Sequence, residues 1–193
     1  MKKLILLTLV SISIIINLQA QEKLNISLET SSVNWIGEKV TGQHEGFILL
    51  KSASLETKDG ALTGGEFVID MNSIKCTDIE SPQYSAKLEN HLKDNDFFNV
   101  AEFPEARFVI TKVIYDGTSY IIEGDMTIRE LTSAISFPVE FHNEDGKFIA
   151  DASIIVDRTK HDVKYGSGAF FDNLGDKMIY DEFTLKVHLE SAK

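Results

Sequence analysis

The chain has 193 residues, of which 30 are acidic and 19 basic, and its formal net charge is −11. A surface this negative repels phosphate groups, which excludes nucleic acid and anionic membranes as expected partners. The one cysteine, Cys76, cannot form an internal disulfide, so a hydrophobic core must stabilise the fold.

The amino-terminal segment has the pattern of a secretory signal. Two lysines precede an apolar run from Leu4 to Ile16, and the small residue Ala20 follows. A spanning helix needs about 20 apolar residues, so the short run favours a cleaved signal over a membrane anchor. We predict a signal peptide at residues 1–20, and one mature domain at residues 21–193 that has no transmembrane segment and is periplasmic or secreted.

Most of the remaining chain has the pattern of β-strands. Apolar and polar residues alternate in YIIEGDMTI (120–128) and again in FTLKVHLE (183–190), as in antiparallel strands with one buried face. Asp-Gly pairs such as Asp59-Gly60 predict tight hairpin turns between the strands. The predicted strands are 32–40, 44–55, 61–71, 106–115, 119–128, 131–141, 147–157 and 178–190, with further extended pieces near 24–28 and 74–79. Eight strands suffice to close a barrel, so the predicted fold is an all-β, eight-stranded antiparallel barrel.

One short helix is predicted among the strands, at about residues 82–93. Ser81 suits the N-cap and Pro82 the first helical position. One face of this helix would carry Tyr84, Leu88, His91 and Leu92. Phe97 and Phe98 follow it directly. Two interpretations stay open: helix and phenylalanines form a lid over a ligand, or they plug a barrel that side chains already fill.

The sequence contains no motif typical of metal binding or covalent catalysis. Its five histidines lack the spacing of zinc motifs, and it has neither a nucleophile elbow nor a phosphate-binding loop. We therefore predict no metal, no cofactor and no catalytic residue. The rival hypothesis is an enzyme or stress-response protein acting on a small apolar substrate in the same pocket, with His91 or His161 as acid or base.

The segment DRTKHDVKYGSG (157–168) is the one local concentration of basic residues. It is either a solvated loop with a local salt bridge or a polar rim at the barrel mouth that contacts a ligand head group. The candidate head-group residues are Arg158, Lys160, His161 and Lys164.

Four blocks of the sequence resemble the YceI-like family of exported bacterial proteins. They are VNWIGEKVTGQHEGFI, KLENHLKDNDFFNVAEFPEARF, EGDMTIRELTSAISFPVEF and VDRTKHDVKYGSGAFFDNLGD, of which the second is the most specific. In the last block, His161 stands where the family pattern has an aromatic residue. The resemblance covers nearly all of the mature chain and implies a lipocalin-like barrel associated with binding polyisoprenoid chains.

The resemblance and the strand pattern together imply a non-enzymatic protein that binds, stores or transports a long isoprenoid lipid in the periplasm. The lipid would be of the polyprenyl phosphate or quinone type and would lie inside the barrel, with the helix as a lid. The expected lining and lid residues are Trp35, Phe47, Phe67, Leu88, Leu92, Phe97, Phe98, Ile122, Met126 and Phe183. A filled structural barrel is the other alternative, and both monomer and homodimer stay open.

Overall fold

The computed structural model describes residues 22–192, so the predicted signal peptide lies outside the described residues. Within this range the chain forms nine strands and one α-helix. The strands are β1 (Glu22–Asn25), β2 (Ser32–Lys39), β3 (Gly42–Lys58), β4 (Ala61–Cys76), β5 (Glu105–Tyr115), β6 (Tyr120–Ile128), β7 (Leu131–Glu144), β8 (Lys147–Asp157) and β9 (Ile179–Glu190). The helix, α1 (Pro82–Lys93), lies between β4 and β5, and 3₁₀ turns occur at Arg158–His161 and Gly175–Lys177.

Strands β2 to β9 close into the predicted eight-stranded antiparallel barrel. Each strand from β4 to β8 pairs with the next along the chain, and β9 pairs with β2. The circle is completed because β3 pairs with β2 on one side and with β4 on the other. Closure leaves no free edge between these strands, which removes a common route to aggregation.

The short strand β1 completes the wall where β2 ends. It pairs with the second half of β3, from Glu22 opposite Thr57 to Asn25 opposite Ser54, whereas β2 pairs with the first half. Ile26 then forms a bridge to Ser191. The extended piece predicted near 24–28 thus lies beside β3, displaced towards the amino terminus.

The predicted strand 61–71 and the first part of the piece predicted at 74–79 belong to one long strand, β4, which ends at Cys76, so residues 77–79 lie outside it. Around Asp70 the strand is irregular: its side chain accepts from the Asn72 amide and the Ser73 hydroxyl donates to its carbonyl oxygen. The β3–β4 register also shifts at three places. Such irregularities let long strands bend around a barrel, while in sequence they look like a break between two strands.

Three of the five hairpin turns contain the predicted Asp-Gly pair, whereas the β2–β3 and β6–β7 turns do not. At two of the predicted turns, Asp59 and Asp145 have positive φ angles, as do the glycines that follow them. The β6–β7 turn uses Arg129 (φ 50°) and Glu130 (φ 63°), and neither is a glycine. Arg129 donates to the carbonyl oxygens of Phe97 (3.0 Å) and Asp162 (2.9 Å), and these contacts stabilise an otherwise unfavourable conformation.

Candidate binding cavity

The barrel encloses a cavity of about 260 Å³. Inward-facing apolar side chains of the strands form most of its wall, because alternate residues of a strand point to the same face. Buried members of this wall include Val33, Ile48, Leu55, Ile122, Met126 and Leu189. The interior is therefore not completely filled by side chains, which argues against the filled structural barrel.

Nine of the ten residues predicted to line a cavity or form its lid do border it. They are Trp35, Phe67, Leu88, Leu92, Phe97, Phe98, Ile122, Met126 and Phe183. Whether they contact a ligand stays a prediction.

The placement of Phe47 in the lining was wrong. Its neighbour Ile48 is buried and borders the cavity, so strand alternation turns Phe47 to the outer surface, where it is 36% exposed. Ile48 and Leu50 are the β3 residues that line this part of the wall.

Helix α1 covers one end of the cavity, as the lid interpretation requires. Leu88 and Leu92 border the cavity, whereas Tyr84 is 65% exposed and does not share their environment. The buried residue of the helix is Glu89. Its carboxylate accepts from the Cys76 backbone N–H (3.1 Å) and from the Lys75 ammonium (2.9 Å). The helix is therefore fastened to the end of β4 by polar contacts.

The electrostatic environment of Glu89 favours the ionised carboxylate. Burial acts to raise the pKa of Glu89, but the hydrogen bonds from Lys75 and the Cys76 amide outweigh burial and hold the pKa below its usual value. A buried carboxylate that receives such hydrogen bonds serves as a fixed anchor.

Aromatic rings continue the cover beyond the helix. Phe97 is buried and contacts His91 (ring centroids 4.9 Å apart) and Tyr165 (5.4 Å). Phe98 packs edge-on against Phe183 of β9, at 6.3 Å. The two phenylalanines thus join the helix to the late loop and to the barrel wall.

The four predicted head-group residues are not assembled into one site. Of the four, only Arg158 borders the cavity, and it is 4% exposed. Its guanidinium donates to the carbonyl oxygens of Val163 (2.7 Å), Tyr180 (3.0 Å) and Ile179 (3.1 Å). An Asp181 oxygen lies 3.4 Å away. These bonds occupy most of the N–H donors of Arg158, so its role is to hold the late loop against β9.

The other three residues of the set point elsewhere. His161 is completely buried, and its ring nitrogens contact the Leu131 carbonyl oxygen (2.8 Å) and the Ser133 hydroxyl (3.1 Å). Burial lowers the pKa of His161, so the ring is neutral at pH 7. Lys160 is exposed, and Lys164 pairs with Asp162 at 2.5 Å.

The histidines of the enzyme hypothesis do not line the cavity. His161 has the buried contacts just described, and His91 packs edge-on against Phe97 and Tyr165. Neither is among the described residues that line the cavity. No group of three or more His, Cys, Asp or Glu side chains within residues 22–192 is arranged to hold a metal ion.

Sequence reasoning missed the polar residues at the lidded end of the cavity. Gly37, Lys39 and His44, at the β2–β3 hairpin, border the cavity there. Gly37 pairs with His44 on β3 and with Phe183 on β9. A Cβ atom added at Gly37 would meet no atom within 4 Å. There is thus free space beside Gly37, and Lys39 is exposed although it borders the cavity, so the cavity reaches the surface at this hairpin. We call Gly37, Lys39 and His44 the portal.

A carboxylate outside the portal orients His44. Asp78 accepts from His44 Nδ1 (2.8 Å), the Glu45 amide (3.1 Å) and the Cys76 thiol (3.1 Å). Burial acts to raise the pKa of Asp78, but these hydrogen bonds outweigh it and lower the pKa to about 2. Burial and the bond to Asp78 both raise the pKa of Cys76, so the thiol is protonated at pH 7 and is no nucleophile.

An antiparallel eight-stranded barrel with an apolar internal cavity and a helical cover defines a lipocalin-like binding fold. The chain belongs to the YceI-like family, whose domain matches residues 20–191. Among curated proteins, a UPF0312 protein of Photorhabdus laumondii is 34% identical over 59 residues, which is 31% of each chain. A UPF0312 protein of Yersinia pestis is 29% identical over 85 residues, 44% of this chain and 41% of its own. The aligned regions thus span less than half of these relatives.

Solved structures share the fold at low sequence identity. BcnA of Burkholderia cenocepacia has a TM-score of 0.69 at 20% identity, covering 86% of this chain and 99% of its own. A polyisoprenoid binding domain of Saccharophagus degradans has a TM-score of 0.60 at 12% identity, covering 86% and 96%. Within residues 22–192, no helix is long and apolar enough to cross a membrane.

Proposed function

We propose that this protein binds a long isoprenoid lipid inside its barrel and stores or transports it without chemical change. The observation that carries the proposal is the lidded apolar cavity at the centre of the fold. The Saccharophagus degradans domain of similar fold, described as polyisoprenoid binding, supports the choice of ligand.

Burial of the hydrocarbon would drive binding. Each methylene removed from water contributes about 0.8 kcal/mol, so a few isoprene units supply a favourable free energy even after the cost of ordering the chain. The lid shields the bound tail from water at the end of the cavity where Leu88, Leu92 and Phe98 lie.

Substitution of Leu92 by aspartate tests this proposal. Leu92→Asp places a carboxylate against the hydrocarbon, which costs several kcal/mol or forces the group neutral. We expect lipid extracted from the purified variant, measured by mass spectrometry, to be lost. Tyr84→Asp adds the same charge on the exposed part of the same helix and should retain the lipid. Equal polyisoprenoid content in parent and folded Leu92→Asp, or none in the parent, would contradict the proposal.

The proposed setting is the periplasm, after removal of residues 1–20. This inference depends on the signal pattern alone, which lies outside the described residues. The intact mass of the protein purified from its native host tests it: a species beginning after Ala20 is expected, and a cytoplasmic species retaining Met1 would contradict export.

A further inference from the structure

We propose that the portal is the head-group site, and that it takes an uncharged head group bearing an acceptor oxygen, such as the hydroxyl of a prenol or the carbonyl of a prenyl quinone. This inference rests on the proposed function and specifies the ligand class of the same cavity. It places the head-group site at the β2–β3 hairpin instead of the Arg158 loop, where the sequence had predicted it.

The geometry locates the head group at Gly37. The inward positions of β2 run from Val33 through Trp35 to Gly37, and the exposed Lys39 follows beyond a register shift, so the apolar wall ends at the glycine. Phe183, opposite Gly37, still belongs to the apolar wall. A tail lying in the barrel would therefore leave its polar end level with Gly37.

The portal offers both a donor and an acceptor to a head-group oxygen. Lys39 has no carboxylate within 4 Å among residues 22–192, so its ammonium is available as a donor. Because His44 Nδ1 donates to Asp78, Nε2 of the neutral ring presents a lone pair that can accept from a hydroxyl, and Nε2 has no protein partner in the described part of the chain. Because Asp78 holds the ring, His44 is oriented before a ligand arrives.

The charge around the portal disfavours a phosphate. Glu38 and Glu182 also border this end of the cavity, so two carboxylates accompany the Lys39 ammonium. The Arg158 guanidinium cannot add a free cation, because it is bonded to carbonyl oxygens and Asp181. A phosphate brings a charge of about −1.5 to −2, and the whole chain is negative as well. Hydrogen bonding without a net positive field fits a neutral head group.

Two ligands with one tail distinguish the head groups: geranylgeraniol and geranylgeranyl diphosphate. Trp35, the only tryptophan of the chain, borders the cavity, so its fluorescence reports occupancy. We expect the alcohol to bind at least about tenfold more tightly than the diphosphate, with little dependence on salt. A prenyl quinone should also bind and should quench Trp35.

Variants separate the portal from the rest of the cavity. Gly37→Leu should fill the free space at the portal and slow both uptake and release of the alcohol. Asn34→Leu adds the same side chain on the outer face of β2 and should change neither. Lys39→Ala should weaken binding of the alcohol several-fold.

Three results would overturn the inference. The diphosphate could bind more tightly than the alcohol, or Lys39→Ala could abolish binding of the diphosphate while binding of the alcohol stays unchanged. The third result is that folded Gly37→Leu takes up the alcohol at the parent's rate. In each of these cases the tail still binds, so the proposed function stands. If no isoprenoid ligand alters Trp35 fluorescence and none is recovered with the protein, the proposed function itself fails.

Discussion

The carboxylate of Glu89 on the lid helix accepts a hydrogen bond from the backbone N–H of Cys76, the last residue of β4, at 3.1 Å. The same helix directs Leu88 and Leu92 towards the cavity. Anchoring of the lid and contact with the cavity are therefore assigned to different side chains, and each can be altered separately.

Removing the charge of Glu89 should loosen the lid more than the barrel. Glu89→Gln keeps an acceptor for Cys76 but loses the ion pair with Lys75, and hydrogen bonds to charged groups contribute about 1.5–3 kcal/mol. We expect faster amide hydrogen exchange in α1 and little change in β5 to β9. Asn90→Ala, at an exposed position of the helix, is the control. Unaltered exchange in Glu89→Gln would show that Glu89 does not anchor the lid.

Asp78 should contribute to stability above its unfolded-state pKa and lose that contribution in acid. Its pKa falls from 3.8 in the unfolded chain to about 2 in the fold. The contribution is therefore fully present above about pH 4, lost as the pH falls towards 2, and worth about 2 kcal/mol. Measured by urea unfolding across this range, the free energy of unfolding should fall less steeply with decreasing pH in Asp78→Asn than in the parent. Parallel curves would contradict this assignment.

Arg158 should be a stabilising residue rather than a head-group ligand. Arg158→Ala removes the donor that serves the carbonyl oxygens of Val163 and Ile179 and the carboxylate of Asp181. We therefore expect the free energy of unfolding to fall by about 3 kcal/mol. Arg158→Lys should recover only part, because an ammonium lacks the planar fork. Lys160→Ala, at an exposed position of the same turn, should be nearly neutral. Thermal unfolding of the three variants provides the measurement, and equal stability of Arg158→Ala and the parent would refute the role.

Gly46 and Gly37 should differ sharply in their tolerance of a methyl group. At Gly46 a Cβ atom would overlap the carbonyl oxygen of Lys75 and come within 2.8 Å of the Trp35 ring. The Trp35 indole N–H donates to that same carbonyl (3.1 Å), so neither neighbour can move without loss of the bond.

We therefore expect Gly46→Ala to cost about 2 kcal/mol or more, while Gly37→Ala costs less than about 1 kcal/mol. Urea unfolding followed by Trp35 fluorescence compares the two. A larger loss for Gly37→Ala would contradict the free space beside Gly37.

The sequence by itself determined the order and type of the elements. Alternation in residues 120–128 and 183–190, the Asp-Gly turns and the Ser81-Pro82 helix start are local signals, and local backbone preferences produced the structure they predicted. The strand alternation and the family resemblance also pointed to most of the cavity wall. Face assignment failed in β3, because Phe47, Ile48, Leu49 and Leu50 are all apolar and alternation cannot then choose the inner face.

Tertiary structure decided which polar groups are free to meet a ligand. Arg158 is basic in the sequence, but the carbonyl oxygens that occupy it come from residues 163, 179 and 180, which only the folded loop brings together. The portal arises because strand register sets Gly37 between His44 and Phe183. Register depends on pairing between distant segments, so no local pattern could reveal that Gly37, Lys39 and His44 meet at one end of the cavity.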